Sequence, residues 1–169
     1  TSFDLIQNSA GAFVQHRANL PLMFATNNTE RMRLDSSGNL GIGSSDPSSA
    51  RLEVKGAKTQ SGGAPIGNVL IADSTALAAN VGGGITFQGV FHSGGNITGL
   101  ASIEAMKETA THNEYGGALV LKTREDQGAM NETMRLTSTG DVGIGASSPD
   151  VNLHVQKTNT SASYSYASR

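Results

Sequence analysis

The sequence predicts an all-β fold built from antiparallel hairpin and meander repeats. Three observations carry that prediction: a turn-and-strand composition, a segment that occurs twice, and a strict two-residue alternation within each copy. Gly, Ser, Thr and Asn together supply 67 of 169 residues, and charged residues only 15%, well below the quarter usual in soluble domains. "ERMRLDSSGNLGIGSSDP" (30–47) aligns with "ETMRLTSTGDVGIGASSP" (132–149) at an offset of 102, and after a one-residue slip the match runs on into "RLEV" (51–54) and "NLHV" (152–155). Self-similarity of this kind marks a repeated supersecondary unit.

Each copy reads as strand, loop, strand, turn, strand, Pro turn, strand. Met32 and Leu34 share a face opposite Arg31, Arg33 and Asp35, and Met134 and Leu136 do the same opposite Thr133 and Arg135, the period of a half-buried strand. Gly38 and Gly140 sit in the tight connections that follow. In the return strand Leu40 and Ile42 point to the core, which leaves Gly41 and Gly43 on a face of bare backbone; Gly143 and Gly145 repeat the pattern. Such a face is kept where something must approach closely, and close packing between chains at these four glycines is the preferred expectation. Pro47 and Pro149 then end each strand.

Between the copies, 58–67 reads as a loop or crossover and "NVLIA" (68–72) as a buried strand. Asp73 or Ser74 is placed to cap a short helical turn over about 74–80, which the glycines after Val81 stop. "GITFQGVF" (84–91) alternates Ile85, Phe87, Gly89 and Phe91 on one face. "ITGLASIEAMKE" (97–108) has helix formers in its second half, but Ile97, Gly99, Ala101, Ile103 and Ala105 alternate cleanly, so a strand is expected. "ALVLKT" (118–123) is the next strand. The organisation expected is a first repeat over 1–56, a β-rich middle section over 57–130, a second repeat over 131–156, and a linker or tail over 157–169.

Leu, Ile, Val and Phe together contribute only 35 residues, and the net charge is −2. A core this thin barely offsets the entropy of ordering the chain, so an obligate oligomer of identical chains is expected. With no cysteine, neither disulfides nor thiolate metal sites arise. A pI near 6 with scattered Lys and Arg provides no footprint for nucleic acid. No apolar run approaches the ~18 residues of a membrane span, so no membrane insertion is expected. The chain opens at Thr1, which suggests a processed product or a piece of a longer protein.

"NNTERMRLDSSGNLGIG" followed by a Pro turn and "RLEV", with "ANVGGGITFQG", "YGGALVLKTRED" and the second "MRLTSTGDVGIG", resembles repeats in the tail fibres and receptor-binding fibres of tailed bacteriophages. The likeness covers about 17–156. It implies an intertwined fibrous homotrimer, β-prism or triple-β-helix-like, located in the virion and acting outside the host cell at its surface. It also implies a partner on that surface, a glycan or outer-membrane protein, besides other virion proteins. Fibres of this kind often precede a self-cleaving chaperone region, which these residues do not contain.

The sequence carries few motifs for chemistry. "GIGSSD" (41–46) imitates a dinucleotide fingerprint but carries Asp46 where the third glycine belongs, and "GGAPIGN" (62–68) lacks the lysine of a phosphate loop. The four histidines are dispersed, so no metal site and no cofactor are expected, and His154 reads as a solvated outward residue. Glu104, Glu108, Glu114, Glu125 and Asp126 lie in charged or turn-like contexts, and with no Trp and three Tyr a sugar-cleaving site is disfavoured. The chain is expected not to be an enzyme.

The function expected is attachment to a host surface through loops presented in several copies. Candidate binding residues are Asn27, Asn28, His92, Asn96, His112, Asn113 and Tyr115, whose amide, imidazole and phenol groups can hydrogen-bond sugars. The alternatives are a purely structural shaft or virion decoration fibre, and a polysaccharide-degrading spike.

Overall fold

A computed structural model describes residues 3–57, 59–61, 64–159 and 162–166. They form fifteen strands and, among the described residues, no helix. The chain divides into two units, 1–70 and 71–169.

The first unit contains three sheets. β1 (Phe3–Asn8) and β2 (Gly11–His16) make an antiparallel hairpin, which sequence reading did not anticipate. β3 (Leu22–Thr26), β4 (Thr29–Leu34), β5 (Leu40–Ile42) and β6 (Leu52–Val54) form a four-stranded sheet in chain order. β7 (Thr59–Ser61) and β8 (Ala64–Ile66) pair as a short hairpin where a loop was expected.

The second unit is one seven-stranded sheet. Its strands are β9 (Gly84–Val90), β10 (Ile97–Lys107), β11 (Gly117–Arg124), β12 (Met130–Leu136), β13 (Val142–Ile144), β14 (Leu153–Asn159) and β15 (Ala162–Tyr166). The middle section is therefore continuous with the second repeat, because β11 and β12 pair directly. Within the segment over 157–169 expected as a linker or tail, residues 157–159 belong to β14 and 162–166 form β15.

Register explains the alternation. In the first repeat Leu22, Leu34, Leu40 and Leu52 stand opposite one another across four strands, and Phe24, Met32, Ile42 and Val54 form the next row. In the second, Ala105, Leu119, Leu136, Val142 and Leu153 make one row, and Ile85, Ile103, Leu121, Met134, Ile144 and Val155 the other. Partners in register share a face, so each sheet has one apolar side. Each repeat also carries a β-bulge at the same place, Arg31 in one and Thr133 in the other, where the pairing register slips; such a bulge adds local twist.

The last strand pair departs from a pure meander: β5 with β6 and β13 with β14 are parallel. A parallel neighbour ordinarily takes a crossover of a dozen or more residues, yet here nine, 43–51, suffice. They suffice because the connection lies flat on the strand it has just left. A Cβ on Gly41 would stand 2.7 Å from the Ser44 carbonyl oxygen and 3.3 Å from the Pro47 ring, and Pro47 is fully buried. At Gly143 the added Cβ would collide with the Ala146 carbonyl oxygen. The second glycine of each pair turns the chain: Gly43 and Gly145 have φ of 68° and 69°, left-handed values that favour glycine. The bare face thus has its reason within a single chain, whatever packs between chains.

Two expectations in the middle section fail. Residues 74–80 are not helical, because the Asp73 carboxylate accepts from Thr75 N and Oγ1 and from Gly82 N, bending the segment into a loop. That loop then follows β10 by main-chain bonds, Asn80 N to Lys107 O and Lys107 N to Val81 O. The strand expected at 68–72 is absent: Leu70 is 90% exposed and the segment has no strand partner. By contrast 97–107 is a strand, as its alternation required.

Candidate functional site

The loops that carry the candidate residues are sequence-determined turns. Asn27 and Asn28 close the β3–β4 hairpin with φ of 49° and 54°, the two-residue turn whose twist matches its strands. Thr29 Oγ1 donates to Asn27 O, and Arg31 Nε donates to Thr26 Oγ1 at 3.0 Å. His92 opens the β9–β10 turn. Its Nδ1 accepts from Gly94 N at 2.9 Å, its carbonyl accepts from Gly95 N, and Phe91 N donates to Asn96 O. His112, Asn113 and Tyr115 lie in the β10–β11 loop, where Asn113 has φ of 62° and Tyr115 is 93% exposed.

All seven candidates are exposed, but the five in the second unit do not converge. His92 and Asn96 are at one end of β10 and His112 to Tyr115 at the other; eleven residues of strand put about 35 Å between them. Asn27 and Asn28 belong to the other unit. The second unit therefore offers separate tips, not one constellation.

Two grooves lie at these ends. The first, about 600 Å³, has Phe91, Thr98 and Leu100 along one side and the β11–β12 loop along the other. The second, about 520 Å³, runs from Val81 past Met106 and Leu119 to Tyr115. In the β11–β12 loop Gln127 holds φ of 54° and Gly128 N donates to Glu125 O. Arg124 ties that loop down, with Nε donating to Gly99 O at 2.6 Å and Nη1 to Gly128 O at 2.7 Å. Sequence reading missed this groove because Leu100 reaches it through a register shift between Gly99 and Ala101, which no two-residue period reveals.

The acids of the sheets are held in structural pairs. Lys122 Nζ, 2.6 Å from Glu104 Oε2, and then the Ser102 hydroxyl keep the Glu104 carboxyl below its ordinary range. Ser138 does the same to Glu108 through its hydroxyl and its amide, which binds the β10–β11 loop to the β12–β13 turn. A proton-donating carboxyl in sugar cleavage needs the opposite shift. On the polar side of each repeat an arginine is paired with the glutamate three residues before it, Arg33 with Glu30 and Arg135 with Glu132. In the first repeat Glu53 also accepts from Lys55 and from the Ser44 hydroxyl, and both lower its pKa.

His154 is not the solvated residue its flanks suggest. It sits across from Gly143 with its side chain 18% exposed, Nδ1 2.9 Å from Asp150 Oδ1 but not aligned for a hydrogen bond. Among the described residues no group of three His, Asp or Glu side chains is placed to hold a metal ion. No known protein-family model matches the chain, and no curated protein matches it.

Proposed function

We propose that this chain is a segment of a fibrous homotrimer, of the tail-fibre type its repeats resemble, that attaches a virion to a host cell surface. One observation carries the reading: among the described residues, the apolar row of each sheet is left uncovered by its own unit. Phe24, Leu34, Ile42 and Leu52 are 41–57% exposed, as are Leu119, Leu136, Ile144 and Leu153. Among the described residues the buried apolar side chains are Pro47, Ala118, Val120 and Ala146 alone.

The magnitude supports an assembly of copies. The accessible surface is 12551 Å² for 17.4 kDa, whereas a globular monomer of that mass exposes about 7,900 Å² and two independent domains of these lengths about 9,400 Å². The surplus of about 3,000 Å² exceeds the ~800 Å² that each partner contributes to a standard stable interface. Sister chains laid on the apolar rows would remove part of it from water. Three copies of each hairpin tip would then meet a repetitive surface together, so that weak contacts add through effective concentration.

Two measurements test the proposal. Equilibrium sedimentation should give three times the chain mass, and the intact protein should adsorb to envelopes of a susceptible bacterium in a manner that excess protein saturates. A cooperatively melting monomer at nanomolar concentration removes the assembly. Adsorption to none of a broad panel of bacterial envelopes removes the attachment role.

A further inference from the structure

We propose that the groove between the β9–β10 turn and the β11–β12 loop is a binding site for an uncharged oligosaccharide; this rests on the attachment role above and names its ligand class. The volume of about 600 Å³ is that of a small-ligand cleft. Phe91, 62% exposed, and Leu100, 46% exposed, supply an apolar wall. Against such a wall the C–H face of a pyranose ring loses contact with water. Thr98 and Gln127 add neutral hydrogen-bonding groups.

Charge selects among sugars. The opposite rim carries the carboxylates of Glu125 and Asp126, while the one cation lining the groove, Arg124, spends Nε and Nη1 on the carbonyls of Gly99 and Gly128. The rim is therefore rich in acceptors and net negative. It suits vicinal hydroxyls, which donate to carboxylates, and repels sulfated or uronic-acid polymers.

The groove is also held in shape before any ligand arrives. Arg124 bonds both the loop and β10, and Gln127 is kept in a left-handed conformation that a non-glycine residue rarely adopts. A preformed rim loses little freedom on binding. The first repeat has no counterpart, since its hairpin closes directly through Asn27 and Asn28.

The test uses the full chain and immobilised disaccharides of glucose, galactose and mannose, beside the same sugars carrying sulfate or uronate groups. Neutral probes should bind and charged ones should bind less. Phe91→Ala should weaken neutral binding at least tenfold and Asp126→Asn several-fold, while Leu70→Ala, at an exposed residue that does not line the groove, should leave it unchanged. Sedimentation checks assembly, and if Phe91→Ala assembles poorly, the exposed Asp126→Asn decides. Equal binding by wild type and both groove variants, or tighter binding of charged probes, overturns the site. If those variants still adsorb to cells like wild type, the groove is discarded and the attachment role stands; if wild type adsorbs to no cell and no probe, both fall.

Discussion

The two repeats are the same device with different ends. Their apolar rows, bulges and glycine pairs correspond position by position and their parallel crossovers differ by a single residue, 43–51 against 145–152, yet the first hairpin closes in two residues and the second in five, 125–129. The seven-stranded sheet also lays β9 and β10 beside the second repeat. What is shared is the part that the crossover geometry dictates; what differs is exposed tip, the usual carrier of binding residues. One scaffold thus serves a plain turn in one place and a walled groove in another.

The largest losses are expected at the shared glycines. Gly143→Ala drives a methyl into the Ala146 carbonyl, and Gly41→Ala meets the Ser44 carbonyl at 2.7 Å. Losses of about 3 and about 2 kcal/mol are expected, at the upper end of overpacking costs, read from urea midpoints. Equal stability to wild type would show that the crossover does not rest on these strands.

A charge on the apolar rows comes next. Ile144→Asp and Ile42→Asp should both weaken self-association, by at least tenfold in sedimentation, because a buried unpaired carboxylate is costly. Ile144→Asp should do more, since its row spans more strands. A smaller effect at Ile144 would place the main contact on the first repeat.

The arginine pairs should differ between the repeats in the same direction. Arg135→Gln should cost about 1 kcal/mol, the upper range for a partly exposed pair, and Arg33→Gln less, because Arg33 and Glu30 are the more exposed pair. Melting temperatures of the two variants check the order.

Acid should act on both repeats with the same sign. The carboxyls of Glu104 and Glu108 in one unit, and of Glu30, Asp35 and Glu53 in the other, are held below their ordinary values by hydrogen-bonded partners. A lowered folded-state pKa gives stability that is present above the ordinary value, 4.5 for Glu, and is lost as pH falls through the folded one. Melting temperature should therefore fall below about pH 4.5, and Glu104→Gln should flatten that fall. The smallest effect is at the tips: Gln127→Asn should gain about 0.5 kcal/mol, because Asn tolerates left-handed φ better, whereas Asn28→Gln should lose a similar amount.

Much of the fold was legible because two-residue alternation survives in each strand, even at Ala101 to Lys107 where helix propensity competed. Strand direction was not legible. Leu52 and Val54 show the same alternation whether β6 runs with β5 or against it, and only the space over Gly41 settles the matter. The helical turn expected at 74–80 failed for a similar reason, as the cap residue Asp73 bonds Gly82 across the loop. Of the seven candidate residues, sequence identified exposed tips correctly as turns but could not say which tips border a groove; Leu100 and the bulge beside it supply that.

The parallel crossover has a consequence for polarity. A strict four-stranded meander brings its chain out at the same end of the strands where it entered, whereas two strands running alike at the close send it out at the opposite end. Each repeat therefore moves the polypeptide one step forward, so copies of the motif can be threaded in tandem without doubling back.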